Sequence, residues 1–250
     1  MIDHLWIVTP TYNEAENLER FVALTLPVLA RSSARRSSLL IVDDDSPDGT
    51  GALADWLASR HAEIRVLHRS GKQGLASAYV DGFRLAMSEG ASHLVEMDAD
   101  LSHDPADLPR ILAAAAAGAD VVLGSRYVAG GGVTDWGALR RIVSRTGCWY
   151  ARTVLGVGVR DLTGGFKCFS ADVLRDLDLE HRDASGYAFQ VELTYRALDR
   201  GHSVVEVPIQ FRDRRAGQSK MTPAIAAEAA WLVPAMRLRR ERDAVTVARP

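Results

Sequence analysis

Cysteine is scarce in this chain of 250 residues: Cys148 and Cys168 are the only two. They lie far apart and lack metal-ligand spacing, so two reduced thiols are expected rather than a disulfide framework or a zinc centre. Strong charge of one sign is also missing. Thirty Lys and Arg against 32 Asp and Glu leave a net charge of −2, which gives no global basic field for nucleic acid. No stretch reaches the ~18 apolar residues a spanning helix needs, so no transmembrane segment is expected. No basic leader precedes the first apolar run, and no signal peptide is expected. A Walker-type glycine loop is absent, and Gly71-Lys72-Gln73-Gly74 is too short a basic turn to replace it. The seven histidines are scattered, with no Ser-His-Asp spacing.

What is present reads as an alternating α/β chain, and its 47% hydrophobic content supports a sizeable core. Short apolar runs at 5–9, 39–43, 64–68, 93–97 and 120–124 read as strands. Helical patterns at 14–29, 50–60, 75–88 and 105–117 separate them. The alternation predicts a mostly parallel central sheet with helices on both faces. The second half is less regular. Gly130-Gly131-Gly132 reads as a flexible joint. Residues 138–155 read as a helix carrying Arg140, Arg141, Arg145 and Arg152 beside Trp149 and Tyr150. A helix at 189–199, a strand at 204–210 and a basic loop at 212–220 follow. With no internal repeat or long linker, residues 1–222 are expected to form one domain. Residues 223–250 read as a C-terminal amphipathic helix, apolar through Leu238, and a basic tail.

Five constellations sit where strands end. Val95-Glu96-Met97-Asp98-Ala99-Asp100 delivers two carboxylates to the place where open α/β sheets bind ligands. Such a pair is a hard oxygen site suited to Mg²⁺ or Mn²⁺ holding a diphosphate. Alone, it is also what loop solvation or helix capping would leave. In Pro10-Thr11-Tyr12-Asn13-Glu14 the proline is expected to stop sheet pairing, Tyr12 to face the crevice and Asn13 to cap the next helix. Asp43-Asp44-Asp45 precedes Ser46-Pro47-Asp48-Gly49-Thr50, and three adjacent like charges are unfavourable unless partnered. One could accept from a base N–H or a ribose hydroxyl while others cap helices or turn the backbone. Gly124-Ser125-Arg126-Tyr127 places Arg126 after a strand, within reach of a phosphate. The basic loop Arg214 to Lys220 could close over a diphosphate or simply be solvated. His103 is expected in a structural or capping role.

The order of these segments resembles the family 2 glycosyltransferases, and within them the polyprenol (dolichol) phosphate mannose synthases. Val-Pro-Ile-Gln-Phe and Arg-x-x-Gly-x-Ser-Lys-Met close the resemblance, which covers about residues 4–222. It implies a GT-A nucleotide-diphospho-sugar transferase fold. It implies that Pro10, Tyr12, Glu14 and Asp44 hold the nucleoside, and that Asp98, Ala99 and Asp100 meet the metal and the donor diphosphate. Many relatives carry glutamine at the next ligand position. Here it is Ser102, a shorter and weaker ligand that a water could serve. Arg214 and Lys220 match the loop that closes on the donor. Arg126, Arg140 and Ser144 match positions that hold the acceptor phosphate, and Trp136 matches an aromatic near the membrane side.

The activity so implied is inverting, metal-dependent transfer of mannose from GDP-mannose to a polyprenyl monophosphate, with Asp98, Asp100 and Arg126 as its centre. The nearest rival is a polyprenyl-phosphate glucosyltransferase or another transferase using a UDP-sugar. A catalytically silent nucleotide-sugar-binding protein is the remote one. A lipid acceptor gives the Arg-rich helix at 138–155 a membrane-surface role, and likewise Trp231, Leu232 and Met236 with Arg237, Arg239 and Arg240. An ordinary helix packed on the domain remains the alternative at 223–240. A peripheral protein on the cytoplasmic face is expected, compatible with an integral membrane partner subunit and with no nucleic acid.

Overall fold

The computed structural model describes residues 2–179, 186–213 and 230–239. Among these, seven strands form the main sheet. They are β1 (His4–Thr11), β2 (Arg36–Asp43), β3 (Ile64–His68), β4 (His93–Glu96), β5 (Val121–Ser125), β7 (Lys167–Ser170) and β8 (Val204–Pro208). A small second sheet pairs β6 (Gly132–Val133) with β9 (Gln210–Phe211). The main order is β3-β2-β1-β4-β7-β5-β8, parallel throughout except that β7 runs antiparallel between β4 and β5. The expected mostly parallel α/β sheet is therefore what the chain forms.

The helices are α1 (Ala15–Ala30), α2 (Thr50–Arg60), α3 (Leu75–Ser88), α4 (Leu108–Ala116), α5 (Ala138–Leu155), α6 (Ala171–Asp176) and α7 (Gly186–Asp199). Alternate side chains of each inner strand feed opposite cores, as a pleated strand must. Leu5, Ile7, Leu39 and Ile41 join the core under α1, α2 and α4, while Trp6, Val8, Leu40 and Val42 join the one under α3, α5 and α7. Both faces are covered, which is why these strands read as continuous apolar runs. Gly82 lets α3 lie close on the sheet: a Cβ there would stand 2.4 Å from Val8 Cγ1.

The strand order reverses at β1, which pairs with β2 on one side and β4 on the other. The carboxyl ends of β1, β2 and β4 therefore open onto one crevice, the ligand position of such sheets.

Several local expectations change. Pro10 does not end β1, which continues in register with Val42 and Asp43. Pairing with β4 has already stopped at Val8, so the missing N–H falls where one neighbour remains. The glycine triplet is a packing requirement rather than a joint, since a Cβ on Gly131 would stand 2.4 Å from the Ser125 carbonyl oxygen. The strand expected at 204–210 divides, because Ile209 crosses from β8 to β9 while its amide donates to Ser125 O at 3.1 Å. β7 and α6 had no sequence signal. Residues 230–239 are helical and pack on α5. Tyr150 Oη donates to Ala230 O at 2.9 Å, Arg237 donates to Leu155 O at 3.1 Å, and Val233 and Met236 are buried in the α5 core. Met236 and Arg237 thus serve packing, while Trp231 and Leu238 remain exposed. Among the described residues no helix is long and apolar enough to cross a membrane.

Candidate active site

The three adjacent aspartates after β2 divide their tasks. Buried Asp43 accepts from Ser46 N at 3.2 Å, Ser46 Oγ at 2.6 Å and Thr11 Oγ1 at 3.2 Å. Buried Asp44 accepts from Arg69 Nη1 at 2.5 Å and from the Gln73 and Gly74 amides at 3.1 and 2.9 Å. Asp45 is exposed and left-handed, with φ 59°. Further on, Asp48 accepts from Thr50 N, Thr50 Oγ1 and Ala15 N, so it caps α1 in place of Asn13. Asn13 is itself left-handed, and its amide donates to Ser46 Oγ.

Arg69 was not singled out by sequence, yet it organises this side. It is 7% exposed and also reaches Asp81, Gln73 and Ser77. Together with Asp44 it fixes the turn at 71–74, which carries Lys72 Nζ to 3.9 Å above the Tyr12 ring. The short basic turn therefore delivers a cation beside one expected nucleoside contact, without being a phosphate cradle. Pro10 and Tyr12 are half-buried at this edge. The Glu14 amide donates to Thr50 Oγ1 at 2.9 Å, and its carboxylate accepts from Asn17 at 2.8 Å.

The second carboxylate group follows β4. Asp98 Oδ1 accepts from Tyr79 Oη at 3.1 Å, and its side chain stays 37% exposed. The Asp98 amide donates to His103 Nδ1 at 3.1 Å, which leaves the proton of a neutral ring on Nε2. His103 is buried, stacked on Phe166 with centroids 5.0 Å apart and edge-on to Phe211 at 5.4 Å. Its ring thus braces the Asp98 amide from within the core. Asp100 is buried and accepts from Ser102 N at 3.0 Å across the left-handed Leu101. Ala99 and Ser102 are buried, and Ser102 O accepts from Arg212 N at 3.2 Å. Ser102 thus braces the turn through its backbone.

Asp98 and Asp100 offer hard oxygen donors only. Among the described residues no group of three or more His, Cys, Asp and Glu is placed to hold an ion. That donor set fits Mg²⁺ or Mn²⁺, which commonly take one or two carboxylates and complete their shell with water and substrate phosphate oxygens. Behind the turn, Glu96 and Lys167 face each other across β4 and β7, both fully buried. Burial pushes the Glu96 carboxyl up to about 8 against the pull of Lys167. Burial likewise lowers Lys167, which donates to Gln190 O at 2.6 Å and Thr194 Oγ1 at 2.9 Å.

After β5 comes a group of arginines stacked on aromatic rings. Arg126 is buried after β5. Its Nε and Nη2 close on Asp161 at 2.7 and 2.6 Å, its amide donates to Asp161 at 2.9 Å, and Nη2 also donates to Thr163 Oγ1 at 2.9 Å. Burial opposes both charges, and each partner outweighs it: Arg126 is raised and Asp161 is lowered. Among the described residues Nη1 makes no hydrogen bond. Arg140 stacks 4.2 Å over Trp136 and donates to Asp213 at 2.7 Å. Trp136 is buried against Phe211 at 5.4 Å, so it supports the arginines rather than facing a membrane. Ser144 Oγ accepts from Tyr127 Oη at 2.6 Å.

The Glycosyl transferase family 2 model matches residues 6–178. This chain belongs to the family 2 glycosyltransferases. It is 45% identical over 238 residues to the polyprenol monophosphomannose synthase of Mycolicibacterium smegmatis, covering 95% of this chain and 88% of that one. It is 46% identical over 222 residues to the undecaprenyl-phosphate mannosyltransferase of Micrococcus luteus, covering 89% of each. Its fold is that of GT-A enzymes. Glucosyl-3-phosphoglycerate synthase from Mycobacterium tuberculosis, solved with Mn²⁺, UDP-glucose and phosphoglyceric acid, superposes with a TM-score of 0.69. The identity is 21%, over 95% of this chain and 79% of that one.

In this glycosyltransferase the residues singled out by sequence fall into two groups. Pro10 lies near the end of β1, and Tyr12, Glu14, Asp44, Asp98, Ala99 and Asp100 follow the adjacent strands β1, β2 and β4. Arg126, Arg140 and Ser144 stand with Tyr127 and Trp136 on the other wall. Arg214 and Lys220 lie outside the described residues. Sequence reasoning missed Arg69, Asp161 and Thr163. The signal for Arg69 was the unmet need of three aspartates for a cation. For Asp161 it was the need of a buried arginine for a carboxylate.

Proposed function

We propose that this glycosyltransferase transfers mannose from GDP-mannose to a polyprenyl monophosphate at a membrane surface, inverting the anomeric centre to give a β-linked mannosyl phosphate lipid. The two mannosyl-transferring relatives support the sugar and the acceptor class. The observation that carries the chemistry is the pairing of two groups of opposite charge beyond the strand ends. Carboxylates and amides suited to a nucleoside diphosphate stand on one side, and arginines supported by aromatics on the other.

On the donor side Pro10, Tyr12, Glu14 and Asp44 hold the nucleoside, Asp44 acting through Arg69 and the turn at 71–74. Asp98 and Asp100, with Ala99 between them and Ser102 bracing the turn, would hold the divalent cation. Once bound, Mg²⁺ or Mn²⁺ supplies charge neutralisation for the diphosphate. Arg214 and Lys220 close over the donor. On the acceptor side Arg126, Arg140 and Ser144 bind the acceptor phosphate. Its oxygen is already anionic at neutral pH, so it attacks the anomeric carbon without a dedicated base. The new C–O bond forms as the bond to the diphosphate breaks, and GDP departs. The arginines orient the phosphate and offset repulsion between two anions. Residues 1–222 act as the catalytic domain and 223–250 as its C-terminal extension. The protein works peripherally on the cytoplasmic face, with room for an integral membrane partner.

The test is transfer of radiolabel from GDP-mannose to a short polyprenyl phosphate in detergent with Mg²⁺ or Mn²⁺. Chelator-sensitive label in the organic phase is expected. Label arriving from UDP-glucose in place of GDP-mannose would overturn the sugar and keep the reaction type. No transfer from any donor, despite nucleotide binding, would overturn the proposal.

A further inference from the structure

Three arginines of the acceptor side have no part in the reaction proposed above. Arg145, Arg152 and Arg160 line one pocket of about 260 Å³ together with Tyr127, Cys148 and Trp149. Arg145, Trp149 and Arg152 follow each other at i, i+4 and i+7 on α5, a single helix face. Arg160 comes from the turn after α5, whose backbone is fixed by Glu206. That carboxylate accepts from the Arg160 amide at 2.8 Å and from the Asp161 amide at 2.9 Å.

The charge pattern differs from the rest of this wall. Arg126 is matched by Asp161 and Arg140 by Asp213. Among the described residues no acidic side chain lines the pocket, and the nearby carboxylates of Asp161 and Glu206 are already engaged. Like charges converging on one cavity favour an anion between them, and guanidinium forks suit phosphate oxygens. The rim is apolar. Trp149 is 61% exposed, and Leu139, Ile142 and Val143 of the same helix are exposed as well. Tyr127 forms a shared wall with the acceptor side, since its hydroxyl donates to Ser144.

We propose that this pocket seats the phosphate of an anionic membrane phospholipid, its acyl chains leaving along the exposed apolar face of α5. The pocket adjoins the acceptor site without using its arginines. This rests on the protein working at a membrane surface, as proposed above.

The test is sedimentation of the full chain with vesicles of phosphatidylcholine alone or mixed with phosphatidylglycerol, without acceptor. Two triple variants are compared with the wild type: Arg145→Gln/Arg152→Gln/Arg160→Gln and Arg145→Lys/Arg152→Lys/Arg160→Lys. The wild type is expected to prefer phosphatidylglycerol about tenfold, the scale of one or two charge-assisted contacts. The lysine variant keeps the net charge, yet loses most of that preference because an ammonium cannot make the fork. The glutamine variant loses all of it. Acceptor KM in neutral detergent stays unchanged in both. Full preference in the lysine variant would overturn a built site in favour of diffuse attraction. A raised acceptor KM in detergent would assign the pocket to the acceptor's own phosphate. Wild-type binding to both vesicles alike would overturn only the phospholipid site. Binding to neither would overturn the membrane-surface proposal and this one together.

Discussion

The two walls of the crevice are built on different plans. On the donor wall, carboxylates are tied largely to backbone amides: Asp44 to those at 73–74, Asp48 to Thr50 and Ala15, Asp100 to Ser102. On the acceptor wall, arginines are tied to side-chain carboxylates, Arg126 to Asp161 and Arg140 to Asp213, and rest on aromatic rings. The first plan holds anionic groups at the ends of parallel strands, where a cation-bound diphosphate belongs. The second holds cations against aromatic rings, where the proposed acceptor phosphate would bind. The difference teaches that charge in this protein is positioned by its structural partner, and the partner's own burial sets how much stability depends on it.

Removing charge from the donor wall should give the largest functional loss. Asp100→Asn keeps an acceptor for the Ser102 amide and removes the negative charge. Transfer should fall by about a thousandfold, the upper scale for losing one preorganised electrostatic contact. The fold should persist, as read by far-ultraviolet circular dichroism. Label transfer at the wild-type rate, still chelator-sensitive, would take Asp100 out of the site.

The inner layer of the acceptor wall should show the largest loss of stability. Arg126→Gln leaves the fully buried Asp161 carboxylate without its ion partner. Breaking a buried pair from one side costs about 3–5 kcal/mol, which urea denaturation would register. Asp161→Asn should cost a similar amount and also raise acceptor KM, because it releases the guanidinium from its fixed orientation. A stable Asp161→Asn enzyme with normal acceptor KM would show that Arg126 needs no orienting partner.

The same contrast explains what could be read from sequence. The donor wall consists of short connections after apolar strands, so 43–50 and 98–103 were legible as turns with named carboxylates. Even there, the α1 cap expected of Asn13 falls to Asp48, which reaches Ala15 across 33 positions. The acceptor wall depends on pairs 35 and 73 residues apart, and no local pattern announces those. β7 escaped for a related reason. Its Lys167 looks like a surface residue in sequence, yet it is wholly buried, with its ammonium received by Gln190 O and Thr194 Oγ1 of α7.

That buried pair between the walls predicts a pH effect on stability. Glu96 binds its proton up to about pH 8 in the folded chain, against 4.5 for the unfolded reference. The folded state therefore holds more protons than the unfolded state in that window. Stability from this group should fall as pH rises through it. Glu96→Gln should flatten the decline of Tm between those values. An unchanged slope in the variant would assign the decline to other groups.

The smallest stability effect belongs to the outer acceptor arginine. The Arg140–Asp213 pair is as short as many buried ones, at 2.7 Å, yet its side chains are 37% and 34% exposed. Solvent screens such a pair, so Arg140→Gln should cost no more than about 1 kcal/mol in urea denaturation. Its stacking over Trp136 adds only a modest further loss. Acceptor KM should nonetheless rise clearly, because the same guanidinium faces the proposed phosphate. A stability loss equal to that of Arg126→Gln would erase the distinction between inner and outer layers. An unchanged KM with the small stability loss would leave Arg126 and Ser144 as the proposed phosphate contacts and make Arg140 a clasp on Asp213, just before the segment that carries Arg214 and Lys220.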